Sequence, residues 1–328
     1  MRISVCGMIL TACSVLAAQQ GNLSGPVSGF VFDNSGLVLR PIKGVPGASL
    51  LGDGINFGID VAAAYVAPRQ DSAIVVGTDQ SLHLFLLSGS APTEVSLGGV
   101  AGLPERVIFS PSGTAVALIA SGSARVLTGL PNAPVLAGSI KVESVTMAQM
   151  TGAFSSHVSS SPAISLSDDG NYLLTVAQGS ARLLSVQGQN RSLIPVQANA
   201  LVAFAAGGHD AAVLDSLSGL TLIHDAAGAA GTQLLAVPDE GLAGPVGLAF
   251  SQDKQTVYVA SATAQSVAAF NLAAASRSAI ACACSPSTLA PLGNLFRLTD
   301  QAPGAPLWIL DSAAATPRTV FVPARVQQ

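Results

Sequence analysis

The chain has 328 residues and a net charge of −4, and 49% of its residues are hydrophobic, 10% charged and 5% aromatic. Charged side chains are well below the about 25% usual in soluble domains, and the 14 Lys and Arg residues are scattered, with no run anywhere. That pattern excludes a phosphate-tracking surface, which clusters its basic residues, and with it a nucleic-acid binder.

Met1-Arg2 places one positive charge ahead of the apolar stretch 3–10, and small residues follow to Ala17-Ala18. A charged start, a short apolar core and a small-residue exit identify residues 1–18 as a secretory signal peptide and the protein as exported, periplasmic or extracellular. The apolar run falls short of the about 20 residues that span a bilayer, and turn residues interrupt every later apolar run. Leu10-Thr11-Ala12-Cys13 is similar to a bacterial lipobox, which would lipidate Cys13 and give a lipid anchor. The region before Cys13 is short for that, and cleavage near Ala17 or Ala18 is the preferred exit. Residues 19–29 read as a polar, Gly-rich leader, and residues 30–328 as the folded domain.

The domain opens on Phe30-Val31-Phe32, a turn at Asp33-Asn34-Ser35-Gly36 and a second apolar run to Ile42, which is a hairpin signal. A repeat follows. Its clearest copy is residues 247–261: an apolar strand ending at Phe250, the polar turn Ser251-Gln252-Asp253-Lys254, then Thr256-Val257-Tyr258-Val259-Ala260. The last apolar residue before each turn is Val66, Phe109, Leu166, Phe204, Phe250 and Leu298, at spacings of 43, 57, 38, 46 and 48 residues. The 57-residue unit carries an insertion over residues 141–161, rich in Ser, Met and Gln. A period near 40–50 with several short strands per unit predicts an all-β, single-domain β-propeller. Runs such as Ala115-Val116-Ala117-Leu118-Ile119-Ala120 lack a polar face, which suits strands covered on both sides by neighbouring blades. Six anchors give six blades. In that scheme the hairpin over residues 30–42 closes the last blade by pairing with Thr319-Val320-Phe321-Val322, so that the N- and C-terminal strands share one sheet and no edge is left free. Phe32-Asp33-Asn34-Ser35-Gly36 imitates the turn pattern and would make seven, the alternative.

Tyr258-Val259-Ala260-Ser261 followed by Ser266-Val267-Ala268-Ala269-Phe270-Asn271 resembles the YVTN-type repeat of bacterial surface-layer and periplasmic propellers, and Phe109-Ser110-Pro111-Ser112-Gly113 resembles TolB-like and WD40-like repeats. The Trp-Asp signature of true WD40 repeats is absent. The resemblance implies the fold, and it implies binding or scaffold proteins more often than the lactonase and quinoprotein enzymes that share that fold.

Candidate chemistry is sparse. His83, His157, His209 and His224 are far apart with no metal-ligand spacing, and Asp168-Asp169-Gly170 and Asp33-Asn34-Ser35-Gly36 lack the alternating oxygens of a calcium loop. No catalytic, metal or cofactor set follows from the sequence. Cys282 and Cys284 flank Ala283 in Ala281-Cys282-Ala283-Cys284-Ser285-Pro286. Two residues of strand span about 6.6 Å, so a disulfide there needs a local bend; two buried thiols and a soft-metal site are the other readings. Arg69, Arg106 and Arg297, beside the anchors of three units, are the candidate channel-mouth residues. The expectation is therefore an exported, non-enzymatic binding or scaffold module for a protein or glycan partner, touching it through loops such as the insertion. The alternative is a lactonase- or quinoprotein-type enzyme with its site at the axial mouth.

Overall fold

A computed structural model describes residues 25–89, 91–98, 102–142, 164–238 and 242–325. Residues 1–18, read above as a signal peptide, with Cys13, most of the segment read as a leader, His157 and nearly all of the expected insertion, lie outside the described residues.

The chain folds as seven antiparallel sheets, each built from one uninterrupted stretch of sequence. Blade one is β1 (Val27–Asp33), β2 (Val38–Val45) and β3 (Ala48–Leu51); blade two is β4 (Val61–Val66), β5 (Ser72–Gly77), β6 (Leu82–Leu86) and β7 (Thr93–Val95). Blade three is β8 (Arg106–Phe109), β9 (Ala115–Ala120), β10 (Ser123–Thr128) and β11 (Val135–Lys141); blade four is β12 (Ile164–Leu166), β13 (Tyr172–Ala177), β14 (Ser180–Ser185) and β15 (Asn190–Pro195). Blade five is β16 (Leu201–Phe204), β17 (Ala211–Asp215), β18 (Gly219–His224) and β19 (Gly231–Ala236); blade six is β20 (Pro245–Phe250), β21 (Thr256–Ser261), β22 (Ser266–Asn271) and β23 (Ser276–Ala281). Blade seven is β24 (Ala290–Leu292), β25 (Leu295–Arg297), β26 (Leu307–Asp311) and β27 (Arg318–Val322). Among the described residues blade one alone has three strands.

The expected architecture holds, with two corrections. The blades number seven, not six, because the turn after Phe32 begins a blade of its own. The two ends of the chain share no sheet: β27 closes blade seven unaided, and β1 to β3 form blade one. The ring closes through side chains instead, with Val31 and Ile42 packed against Leu292, Leu295, Leu307, Ile309 and Val322.

Seven apolar clusters fill the seven seams between neighbouring blades. The second strand of a blade is covered on both faces: every residue of β5 and β17 is buried, and Ala, Val, Ile and Leu fill most of those positions, with Ser72, Gly77 and Asp215 at the strand ends. Burying each large aliphatic side chain contributes about 1.5–3 kcal/mol before conformational entropy is counted. The fourth strands face water, as in β19 and β23. The low charge of the chain follows from this layering, since only the outer strands and the turns need polar side chains.

The turns joining first to second strands repeat one chemistry. The Ser110, Ser167 and Ser251 hydroxyls accept the amides of Ala115, Tyr172 and Thr256 at 3.1, 3.0 and 3.0 Å. Four residues after the anchor the backbone turns left-handed, at Gln70 (φ 63°), Gly113 (φ 71°), Gly170 (φ 70°) and Lys254 (φ 60°). Glycine adopts this conformation freely, whereas Gln and Lys do so at a cost.

Candidate functional site: the axial pocket and its rim

Each blade begins with its innermost strand, and the turns that end these strands gather on one face of the ring. There they surround a pocket of about 240 Å3 on the axis. Phe30, Tyr65, Ile108, Phe109, Ile164 and Phe250 supply much of its wall, and all of them are only half-buried. Several anchors of the repeat, Val66, Phe109, Phe204 and Phe250, line it directly.

The rim is tied together by hydrogen bonds that run from blade to blade. The Asp168 carboxylate in blade four accepts the Ser112 amide of blade three at 2.7 Å and the Gly207 amide of blade five at 2.6 Å. The Thr114 hydroxyl donates to the Asp168 carbonyl at 3.0 Å. Across the ring, Gln252 Nε2 of blade six donates to the Gly293 carbonyl at 2.8 Å, and the Gly293 amide of blade seven donates to the Pro68 carbonyl of blade two at 2.8 Å. Gln70 completes this side: its Oε1 accepts the Phe30 amide of blade one at 2.7 Å, and its Nε2 donates to the Ala67 carbonyl at 3.1 Å. Gly113 of blade three lies against Ala67 and Pro68, where a Cβ would stand 3.4 and 3.3 Å from their side chains.

The only titratable side chains in the described wall are Tyr65 and Arg297. Burial raises the Tyr65 phenol pKa, which keeps it neutral. Burial lowers the Arg297 pKa, and Asp300, 3.3 Å away, opposes that shift. Outside the pocket, burial pushes the Asp169 carboxyl up, but hydrogen bonds from Ser167, Asn171 and His209 outweigh it and hold the group below its ordinary value. His209 Nε2 lies 3.1 Å from Asp169 Oδ2, so that pair links blades four and five at the surface.

Of the three candidate arginines, only Arg297 lines the pocket. Arg69 sits in the blade-two turn, paired with Asp71 at 2.9 Å and 41% exposed. Arg106 stands at the start of β8, the end away from the pocket, where burial lowers its pKa. The three do not converge. His83 lies on β6 between Glu94 and Ser81, each at 2.7 Å, and His209 occupies a turn. Among the described residues no three His, Cys, Asp or Glu side chains gather as metal ligands. Asp33 works as a turn clamp: its Oδ1 accepts from Ser35 and Gly36, and Arg40 Nε donates to its Oδ2 at 2.8 Å. Cys282 and Cys284 form a disulfide with Cα atoms 5.0 Å apart, in a bend just past β23. The flanks of the insertion, Val142 and Ile164, stand where the fourth strand of blade three hands over to the first strand of blade four, and Ile164 itself lines the pocket. Of the rim residues, Asp168 enters the sequence reading only as part of a rejected calcium loop and Gln70 and Gln252 only as turn residues, although each ties neighbouring blades together.

No protein-family model matches the chain, and no curated protein matches it either. Solved structures do. A functionally unknown protein from Desulfotomaculum acetoxidans DSM 771 superposes with a TM-score of 0.53 at 12% identity, over 90% of this chain and 100% of that one. Hydrazine synthase of Kuenenia stuttgartiensis gives a TM-score of 0.51 at 13% identity, over 93% of this chain and 98% of that one. Likeness at this level of identity shows the propeller fold alone. Among the described residues no helix is long and apolar enough to cross a membrane.

Proposed function

We propose that this is an exported, non-enzymatic binding module that takes an apolar group of a protein partner into the axial pocket on its turn face. One observation carries the reading: the pocket is an apolar recess whose rim amides already bond to one another. A glycan needs many convergent donors and acceptors, and Gln70 and Gln252 are spent on the ring. A half-exposed cluster of Phe30, Tyr65, Phe109 and Phe250 suits an aromatic or aliphatic side chain, the kind of anchor that dominates protein interfaces. Export is supported by the signal-peptide pattern of residues 1–18 and by the Cys282–Cys284 disulfide, which an oxidising compartment preserves.

The test is heteronuclear NMR titration with N-acetyl-tryptophanamide and, separately, N-acetylglucosamine. The amide is expected to shift resonances of Phe30, Tyr65, Phe109 and Phe250 saturably, and Phe109→Glu is expected to weaken it at least tenfold with the fold intact. Shifts from the sugar alone, or shifts from the amide that avoid the pocket, would refute the reading.

A further inference from the structure

The open edge of blade one is a second site, independent of the pocket. In the six complete blades the fourth strand is three to seven residues long and hydrogen-bonded to the third. Each sets at least one aliphatic residue toward the seam with the following blade, among them Val95, Ile140, Ile194, Leu235, Ile280 and Val320. Blade one stops at β3 among the described residues. The segment leading to blade two supplies Ile55, Phe57 and Ile59 to the seam instead, so the ring is filled without a fourth strand.

The backbone polar groups of that edge are turned away from β2, although Ser49 itself is only 7% exposed. The Gly44 amide donates to the Pro26 carbonyl and the Gly44 carbonyl accepts the Ser28 hydroxyl, so Gly44 turns its polar groups toward β1. Its cross-strand partner is Ser49. In an antiparallel ladder such a pair is not hydrogen-bonded, and the alternation directs the N–H and C=O of Ser49 and Leu51 away from β2. Beside this edge Leu50 is 63% and Val45 53% exposed. An open groove separates the edge from β27, lined by Ala48, Ser49, Leu50, Val320, Phe321 and Pro323.

We infer that this edge binds an extended segment of another polypeptide as the missing fourth strand, antiparallel to β3, with an aliphatic residue against Leu50 and an acidic flank. The six complete blades define the shape of the occupant, because they hold the same kind of segment in the same position. The charge preference comes from Lys43, the exposed cross-strand partner of Leu50, and from Arg318 and Arg325 along β27 and its tail, set against Asp53 and Asp311. A second copy is a poor occupant. Pairing two copies symmetrically through this edge would join only four residues of β3 to four of the other copy, far short of the about 800 Å2 per partner that a stable dimer buries. Strand addition to an edge is an established mode of peptide recognition, in which main-chain bonds give affinity and alternate side chains give selectivity.

The probe is a fluorescein-labelled peptide carrying the β19 sequence Gly-Thr-Gln-Leu-Leu-Ala between aspartates, titrated into the full chain by anisotropy. Saturable binding is expected, with amide shifts at Ser49 and Leu51. Ser49→Pro removes an outward N–H, a change that edge strands accommodate, and also alters a buried side chain; it is expected to weaken binding at least tenfold in a protein that stays folded. Leu50→Lys, at an exposed position, is expected to do the same. No binding to the unaltered protein, or binding that both variants leave unchanged, overturns the proposal. So do dimers that Ser49→Pro abolishes, or peptide binding that requires removal of residues 1–24.

Discussion

The seam between blades four and five and the seam between blades seven and one solve the same packing problem with different means. The first buries Phe204, Leu174, Leu183, Val202 and Ile223, and a carboxylate and a His–Asp pair lie across its rim. The second buries only aliphatic side chains and is crossed by the exposed Arg325–Asp53 ion pair, while the Gly293–Pro68 backbone bond reaches past it from blade seven to blade two. A ring need not be closed by sharing a sheet between its two ends, but a closure made of aliphatic packing and one exposed ion pair is the side expected to open first.

The largest expected effect comes from the cores of the two seams. Phe204→Ala is expected to cost about 3–5 kcal/mol, and Leu307→Ala about 2–5 kcal/mol, in chemical denaturation. The discriminating measurement is hydrogen exchange. Leu307→Ala is expected to speed exchange in blades one and seven beyond the loss of global stability, whereas Phe204→Ala lowers protection throughout the ring. Equal local acceleration at both seams would erase the distinction.

The rim gives a smaller contrast. Asp168→Ala deprives two amides of a charged acceptor and is expected to cost about 1.5–3 kcal/mol, against about 0.5–1.5 kcal/mol for Gln252→Ala. Matching losses in urea midpoints would mean that the carboxylate bridge carries no more than a neutral one.

The smallest effect separates two turns of like geometry. Lys254→Gly relieves a left-handed residue and is expected to gain about 1 kcal/mol. Gln70→Gly relieves the same strain but loses the bond to the Phe30 amide, so its gain is expected to fall to near zero. An equal rise in Tm for both would show that Gln70 does nothing to hold blade one.

Much of this architecture is legible in the sequence because blade turns demand particular residues. Ser110, Ser167 and Ser251 recur for a backbone reason, and of the anchors before them Phe109 and Phe250 face the axis while Leu166 is buried in a seam. The misreading of blade seven has a physical cause. Its first turn, Leu292-Gly293-Asn294, is short and lacks the Ser and Asp of the others, while Leu298-Thr299-Asp300 at the end of the second strand imitates them. Asp33 reads equally as a hairpin turn or a blade turn, because its clamp on Ser35, Gly36 and Arg40 is local. The bridge made by Asp168 is invisible in one dimension. Asp168 and Asp169 are adjacent and chemically identical, and only the placement of the neighbouring blades sends one to backbone amides on both sides and the other to its own turn and to His209. The arginines failed as a site for the same reason: sequence proximity to an anchor does not fix which end of a strand, or which strand of a blade, a side chain occupies.

Every blade is spelled by a single unbroken run of residues, and this bears on biogenesis. A ribosome delivers the sheets one after another, each able to assemble its own ladder before the next emerges, and no early strand has to wait unpaired for a late partner. The final act is then a lateral docking of two finished sheets, a step that depends on hydrophobic surfaces finding one another and not on threading a strand into place.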